Sequence, residues 1–355
     1  MRLFVPGPTE VHPDVFAAMT HPQIGHRTPP LHDLVARVTP KLRRLFGTSG
    51  DAFTSTSSAS AVLEATIRNL VRKRALALVC GEWSDRWAVM AERNGVAVDR
   101  LPVPLGRVHD PADVSKALAS GRYDAILMVW CETSTGVLEP LADLVAAARR
   151  HDDGMVCVDA VSALGGVEID VDRLGIDVCV AGVQKAMAMP PGLAVFTVSE
   201  RARARARTID SRGYFVDFVA FHENLARDET PTTPSTAHLY ALDVALDRIE
   251  AEGMPARAAR HRAMSERCRE WAADRFGLFG EPDAASPTVT CLSNPDGVDL
   301  AAFLDAVRGR GYWLGGGFGE LKGKTFRVGH MGEHTLDDVE TLLAAMDDAR
   351  RSLAG

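Results

Sequence analysis

The chain has 355 residues, enough for about two domains, and a hydrophobic content of 46% excludes a disordered polymer. Forty basic against 47 acidic side chains leave a formal charge of −7, which gives no reason to expect nucleic acid or a membrane as partner. Only six of the basic residues are lysine, so few amines are available as nucleophiles.

The N-terminus is broken by Pro6 and Pro8 before a signal-type apolar stretch could form. No run approaches the roughly 18 apolar residues that a membrane span needs. Six scattered cysteines include no Cys-x-x-Cys pair, which argues against a zinc site or a disulfide framework. They read as small buried hydrophobes of a reducing, cytoplasmic compartment.

Short apolar runs at 75–80, 125–130, 155–159, 178–182 and 193–198 predict buried strands, too continuous for a sheet with one wet face. Helical periodicity lies between them at 85–94 and at 141–150, where Leu141, Leu144, Val145 and Ala148 share a face. This alternation predicts right-handed crossovers and a parallel sheet, with ligands at its carboxyl edge. The alternating run from Arg201 to Arg207 spreads its charges around a helix and predicts a solvated surface. Past Thr230-Pro231-Thr232-Thr233-Pro234-Ser235, a long helical pattern runs over 237–252 and stops at Gly253, with Pro255 beyond. The remainder reads as helix, strands and helix in a smaller second domain.

The candidate chemistry follows the strands. Thr54-Ser55-Thr56-Ser57-Ser58-Ala59-Ser60-Ala61 leads into an amphipathic helix, where hydroxyls and amides either cradle an anion or only cap the helix. Trp83 comes just after the 75–80 strand, as a stacking face for a ring or as core. Asp159 closes an apolar strand, as a helix cap or as a functional carboxylate. Lys185 follows the 178–182 strand, where burial favours the neutral amine, while Lys41, Lys73 and Lys116 sit in charged helical stretches. A strand-end lysine and a strand-end aspartate are together what a pyridoxal phosphate site needs. One forms an imine, and the other keeps the ring nitrogen protonated. Arg327, between Phe326 and Val328, is a planar charged fork suited to a substrate carboxylate.

With these motifs in order, the chain resembles the class V aminotransferases of the alanine/serine–glyoxylate type, from Val5-Pro6-Gly7-Pro8-Thr9 to Gly332. The resemblance is carried by Glu132-Thr133-Ser134-Thr135-Gly136-Val137-Leu138, by Asp159 to Gly166, by Gly182-Val183-Gln184-Lys185, and by Phe326 to Gly332. It implies an α/β fold of the fold type I class: a large domain with a mainly parallel sheet flanked by helices, and a smaller C-terminal α+β domain. The implied division is an N-terminal segment lining the active site (1–15), a large cofactor-binding domain (16–236), a linking helix (237–253) and a small domain (254–355).

The resemblance also implies roles. Lys185 is the Schiff-base lysine, Asp159 pairs with the pyridine nitrogen, and Trp83 and Val161 cover the two ring faces. Ser58, Ala59, Ser60 and Gln184 bind the phosphate. Thr233 reaches the phosphate of the neighbouring subunit's cofactor, in a homodimer with active sites at the interface. Arg327 holds the substrate carboxylate, with Gly7 and Thr133 lining the pocket, and Thr133 also serves the cofactor. No metal is implied. Ser57 and Ala59 stand at usual glycine places of the phosphate loop, and Thr230 stands where the family often has an aromatic hydroxyl. Trp130 and Cys131, just before Glu132, either alter the pocket or pack the core.

The implied activity is a ping-pong transfer from a small amino acid to glyoxylate or pyruvate. The alternative is a non-transaminating lyase or desulfurase of the same superfamily, possibly in a specialised biosynthetic pathway. The desulfurase branch carries a histidine before the lysine and a mobile-loop cysteine. Here Gln184 precedes Lys185, and no cysteine sits in an obvious lid.

Overall fold

The computed structural model describes residues 1–151 and 154–353. Four strands, Ala125–Val129, Met155–Asp159, Val178–Gly182 and Ala194–Val198, are buried at every position. The strand period of two deals their side chains to opposite faces. Ile126, Met128, Val156, Val158 and Cys179 enter one apolar cluster, and Leu127, Val129, Cys157, Val178 and Val180 enter another. Full burial of each Leu, Ile or Val stabilises by roughly 1.5–3 kcal/mol, so with both faces covered the run must be apolar throughout. Trp130 and Cys131 join the first cluster, which answers their placement as core packing.

The sheet has seven strands in the order Asp51–Ser55, Ala194–Val198, Val178–Gly182, Met155–Asp159, Ala125–Val129, Arg74–Val79, Ala97–Pro102. Neither edge strand, Asp51–Ser55 nor Ala97–Pro102, has the continuous apolar run that marks the central ones. Polar Asp51, Asp99 and Arg100 are tolerated there because only one side is paired. Ala194–Val198 departs from the parallel expectation: it is antiparallel to both its neighbours. Residues 183–193 hold no helix, so the chain turns back without a crossover, and Lys185 lies in that turn.

Register then lines up the strand ends. Ser55 and Gly182 both pair with Ala194, and Asp159 pairs with Val129 and with Val180. The segments carrying Ser58, Lys185, Val161 and Thr133 therefore leave the sheet at one carboxyl edge. Trp83 follows the Arg74–Val79 strand, parallel to Ala125–Val129, and leaves at the same edge.

A second sheet runs Arg2–Phe4, Tyr312–Gly316, Thr325–Gly329, Val289–Ser293, Gly277–Leu278. Helices Met254–Ala273, Leu300–Gly309 and Leu336–Leu353 pack on it around Phe4, Phe276, Phe303 and Phe326. The N-terminal strand thus belongs to the C-terminal sheet, and residues 5–9 then cross to Lys185.

The arginine run is solvated only in part: Arg201 and Arg207 are exposed, while Arg203 and Arg205 are half-buried. On the helix Glu200–Ala206, Arg201, Arg203 and Arg205 reach Asp177, Asp51 and Asp124, acids at or just before the starts of three strands. Ion pairing at the amino edge of the sheet outweighs the charge periodicity. Among the described residues, no helix is long and apolar enough to cross a membrane.

Candidate active site

Lys185 lies three residues past its strand, and the N-terminal segment runs against it. Its Nζ donates to the Pro6 carbonyl. The Thr9 amide donates to the Gln184 carbonyl (3.2 Å) and the Thr9 hydroxyl to the Lys185 carbonyl (3.0 Å). A Cβ on Gly7 would stand 2.6 Å from Lys185 Cδ and 2.8 Å from Nζ, so only glycine lets this segment lie on the amine. Burial, and next the charge of Arg327, lower the Lys185 pKa to about 8.

Asp159 is buried at its strand end. Its Oδ1 accepts the Val161 amide at 2.8 Å, and among the described residues no cation hydrogen-bonds it. Burial pushes its carboxyl up to about 7.

Arg327 is the converse case. It is 9% exposed, and its donors go to carbonyls: Nε (3.0 Å) and Nη2 (2.9 Å) to Gly316, Nη1 (3.2 Å) to Thr133. A guanidinium has five N–H groups, so one on each Nη remains, the pair that fits a carboxylate fork. Among the described residues no carboxylate takes them. Thr133 is tied in turn by its hydroxyl, 2.9 Å from that of Ser162.

Trp83 is the second residue of the helix Glu82–Arg93. The buried Glu132 carboxylate accepts the amides of Trp83 (3.1 Å), Ser84 (3.0 Å) and Ser134 (3.1 Å), placing a negative charge at the helix N-terminus. Gly81 makes room for it, since a Cβ there would lie 2.5 Å from Glu132 Cγ. Sequence reasoning gave Glu132 no role of its own, although an acid beside an apolar strand end is the same signal that marked Asp159. Phe318 was missed too. Its ring lies near-parallel to Trp83 at 5.5 Å and 5.9 Å from Arg327 Cζ, but a Gly-rich segment gave no signal for it.

Ser58 is the N-cap of the helix Ala59–Leu70, and its hydroxyl makes no capping bond. The helix start is thus open to an anion. Neither Ser57 nor Ala59 has a positive φ, so the backbone demands no glycine at either position. Gln184 folds over Gly182, where a Cβ would come within 2.7 Å of Oε1. Thr233 stands apart: it is exposed and, among the described residues, makes no hydrogen bond to the other candidates. Its segment is held near the Ser58 loop by the Ser235 amide, which donates to the Thr56 hydroxyl (2.9 Å).

Cys80, His109 and Glu139 bring three ligand-type atoms together in the core. His109 Nδ1 lies only 2.7 Å from Glu139 Oε1, a direct hydrogen bond and closer than the roughly 3.3 Å between ligands on one tetrahedral zinc.

The cluster fits pyridoxal phosphate on its own chemistry. An amine with a lowered pKa, a buried carboxylate with no cation and a helix start with unused donors match its aldehyde, ring nitrogen and phosphate.

Burial makes Asp159 a destabilising group when ionised. Between about pH 4 and pH 7 the folded chain holds a proton that the unfolded chain has lost, so stability falls as pH rises through that window. Asp159→Asn in the cofactor-free protein should raise the thermal midpoint at pH 8 by a few degrees, about 1–3 kcal/mol. At pH 5 the gain should shrink to about a third of that, and it should vanish only below about pH 4. An equal gain at both pH values would show that the charge is not the cause.

Comparison with known proteins agrees with this geometry. The family model for class-V aminotransferases matches residues 14–309. An uncharacterized aminotransferase of Methanocaldococcus jannaschii is 36% identical over 99% of this chain and 93% of its own length. The serine–glyoxylate aminotransferase of Methylorubrum extorquens is 30% identical over 99% of this chain and 90% of its own. The crystal structure of an alanine–glyoxylate aminotransferase from Nostoc sp. superposes with a TM-score of 0.94 at 31% identity, covering 98% of this chain and 95% of that one. With a lysine, an aspartate and an arginine converging at one sheet edge in that fold, the chain belongs to the class-V aminotransferases and is a pyridoxal-phosphate-dependent aminotransferase of fold type I.

Proposed function

We propose that the enzyme moves an amino group from a small amino acid of the alanine or serine class to a small 2-oxo acid of the glyoxylate or pyruvate class, by a ping-pong sequence. The observation that carries this reading is Arg327, a buried guanidinium with two unused N–H groups and no carboxylate of its own. Amino acid and 2-oxo acid share one carboxylate holder, so they take turns: the first leaves as its 2-oxo acid before the second enters. The serine– and alanine–glyoxylate relatives support the substrate class.

When bound, pyridoxal phosphate supplies a carbonyl carbon that takes up and returns the amino group, and a ring that withdraws electrons from the substrate Cα. Lys185 would hold it covalently, Asp159 would face the ring nitrogen, and Trp83 and Val161 would cover the ring faces. Ser58, Ala59, Ser60 and Gln184 would take the phosphate, with Thr133 against both cofactor and substrate. A lysine with a pKa of about 8 is free amine to about a tenth at pH 7 and about half at pH 8, so Lys185 can accept the Cα proton and hand it back. Gly7 closes the pocket over that amine.

The exposure of Thr233 supports a role across a subunit boundary, in a cytoplasmic homodimer. Two separate sheets support the division between 16–236 and 254–355, with 1–15 running from the second sheet to Lys185 and 237–253 as the helix between the domains. The desulfurase alternative needs an accessible, low-pKa thiol. All six cysteines are buried, and burial raises the pKa of each.

Given alanine or serine and no acceptor, the enzyme should release about one equivalent of 2-oxo acid per chain and then stop. Continuous release would favour a lyase. Lys185→Ala should abolish that release together with the visible absorption of the bound cofactor. Arg327→Lys should lower kcat/KM for carboxylate substrates by about 100-fold, because lysine cannot make the bidentate contact. A change below about threefold would make Arg327 structural.

A further inference from the structure

We propose that Arg257 is a positioning residue for the transamination, holding the segments that carry Lys185, Asp159 and Arg327 in one register. The inference rests on the proposed reading of Lys185 as the reacting amine. Arg257 lies in the first turn of the helix Met254–Ala273, outside every motif that carries the family resemblance. It is 1% exposed, among the largest fully buried side chains of the protein.

A buried guanidinium must satisfy five N–H donors, and here each has a partner. Nε donates to the Gly165 carbonyl (2.8 Å) and Nη2 to the Ala186 carbonyl (2.8 Å). Nη1 donates to Glu252 (2.7 Å), and both Nη atoms lie 3.3 Å from Glu333 Oε1. Gly165 lies in the segment from Asp159 to Gly166, Ala186 is the residue after Lys185, and Glu333 lies six residues past Arg327. One side chain therefore binds the segments of Asp159 and Lys185 and the residue just past the segment of Arg327, while lying in none of them.

The loops it joins are in direct contact. A Cβ on Gly165 would come to 3.3 Å from the Ala186 carbonyl carbon, and one on Gly166 to 3.2 Å from Ala186 Cβ and from His261. One turn along the helix, His261 supports the same joint. Its Nε2 accepts the Gly332 amide (3.0 Å), and its Nδ1 is 2.7 Å from the Arg257 carbonyl. Arg260 binds the other side of Glu252 (2.7 Å) and the Gly332 carbonyl (3.1 Å). Lysine could not replace Arg257, because a single ammonium cannot serve two carbonyls and two carboxylates across that span.

Ala186, which Arg257 binds, adjoins Lys185, whereas Glu333 is six residues from Arg327, whose fork is held by Gly316 and Thr133. Loss of the joint should therefore displace Lys185 Nζ, on whose sub-ångström placement proton transfer depends, more than the carboxylate holder. The test compares Arg257→Lys and Arg257→Met with wild type. Arg257→Lys keeps a charge between Glu252 and Glu333, so its thermal midpoint should stay within a few degrees. Its kcat should fall about 10- to 100-fold with KM changed by less than about threefold. In the cofactor-free protein, amine-selective labelling of Lys185, read by mass spectrometry against pH, should move its midpoint up from about 8 toward that of an ordinary lysine. The groups that bear on the amine, Arg327, Cys131 and Asp159, are unchanged in the variant.

A folded Arg257→Lys with wild-type kcat overturns the proposal, and so does a kcat loss with an unmoved labelling midpoint. Arg257→Met should show the larger kcat loss; if it does not fold, the kcat and labelling midpoint of Arg257→Lys decide alone. Turnover surviving in Lys185→Ala would instead defeat the reading on which the proposal rests.

Discussion

A carboxylate buried at the end of an apolar strand, with no cation hydrogen-bonded to it among the described residues, is the constraint on which the rest of the site depends. Left to burial alone, Asp159 favours its neutral form. With its carboxyl pushed up to about 7 it is only partly ionised at neutral pH, and a positive charge placed opposite it would complete the ionisation. Arg327 poses the same problem with the sign reversed: it is charged, buried, and bonded only to carbonyls. Lys185 lies between these influences, and its proton affinity falls because burial and the arginine outweigh the aspartate. A ligand combining a ring cation with a substrate carboxylate relieves both uncompensated charges. Stability withheld from the free protein is returned when the site is filled.

Holding such charges apart in a dry site needs a frame that resists relaxation. The seven-stranded sheet supplies it, since four adjacent strands buried on both faces cannot shift without opening two apolar clusters. Around its carboxyl edge the frame is closed by backbone contacts that exclude side chains. Gly7 lies on the lysine and Gly81 on Glu132, while Gly165 and Gly166 lie against the segment after Lys185. Where side chains do bridge, they are buried and saturated with partners, as with Glu132 under Trp83 and Arg257 among Gly165, Ala186, Glu252 and Glu333. Both hydrogen-bond the backbone at or beside a candidate site residue.

The sequence made the central strands legible because burial on both faces forces unbroken apolar runs. Asp159 and Lys185 stood out as polar residues at the ends of such runs. The edge strands Asp51–Ser55 and Ala97–Pro102 escaped because one-sided pairing tolerates charge. The direction of Ala194–Val198 escaped because a period of two carries no sense of direction; only the missing helix at 183–193 hinted at it. The ion pairs of Arg201, Arg203 and Arg205 escaped because helical periodicity says nothing about acids placed far away in the chain. For the same reason nothing in the sequence distinguished Arg257 from the other arginines. Its partners come from four separate segments, and only the folded chain brings them together.

The most direct test is the titration of Asp159 itself. Carboxyl-carbon NMR of the cofactor-free protein, labelled at aspartate and compared with Asp159→Asn to assign the resonance, would follow its ionisation. A midpoint near 7 is the result expected for a buried acid awaiting a cation. A midpoint near that of an ordinary aspartate, about 4, would mean that the chain or its solvent already compensates the charge, and would contradict the account.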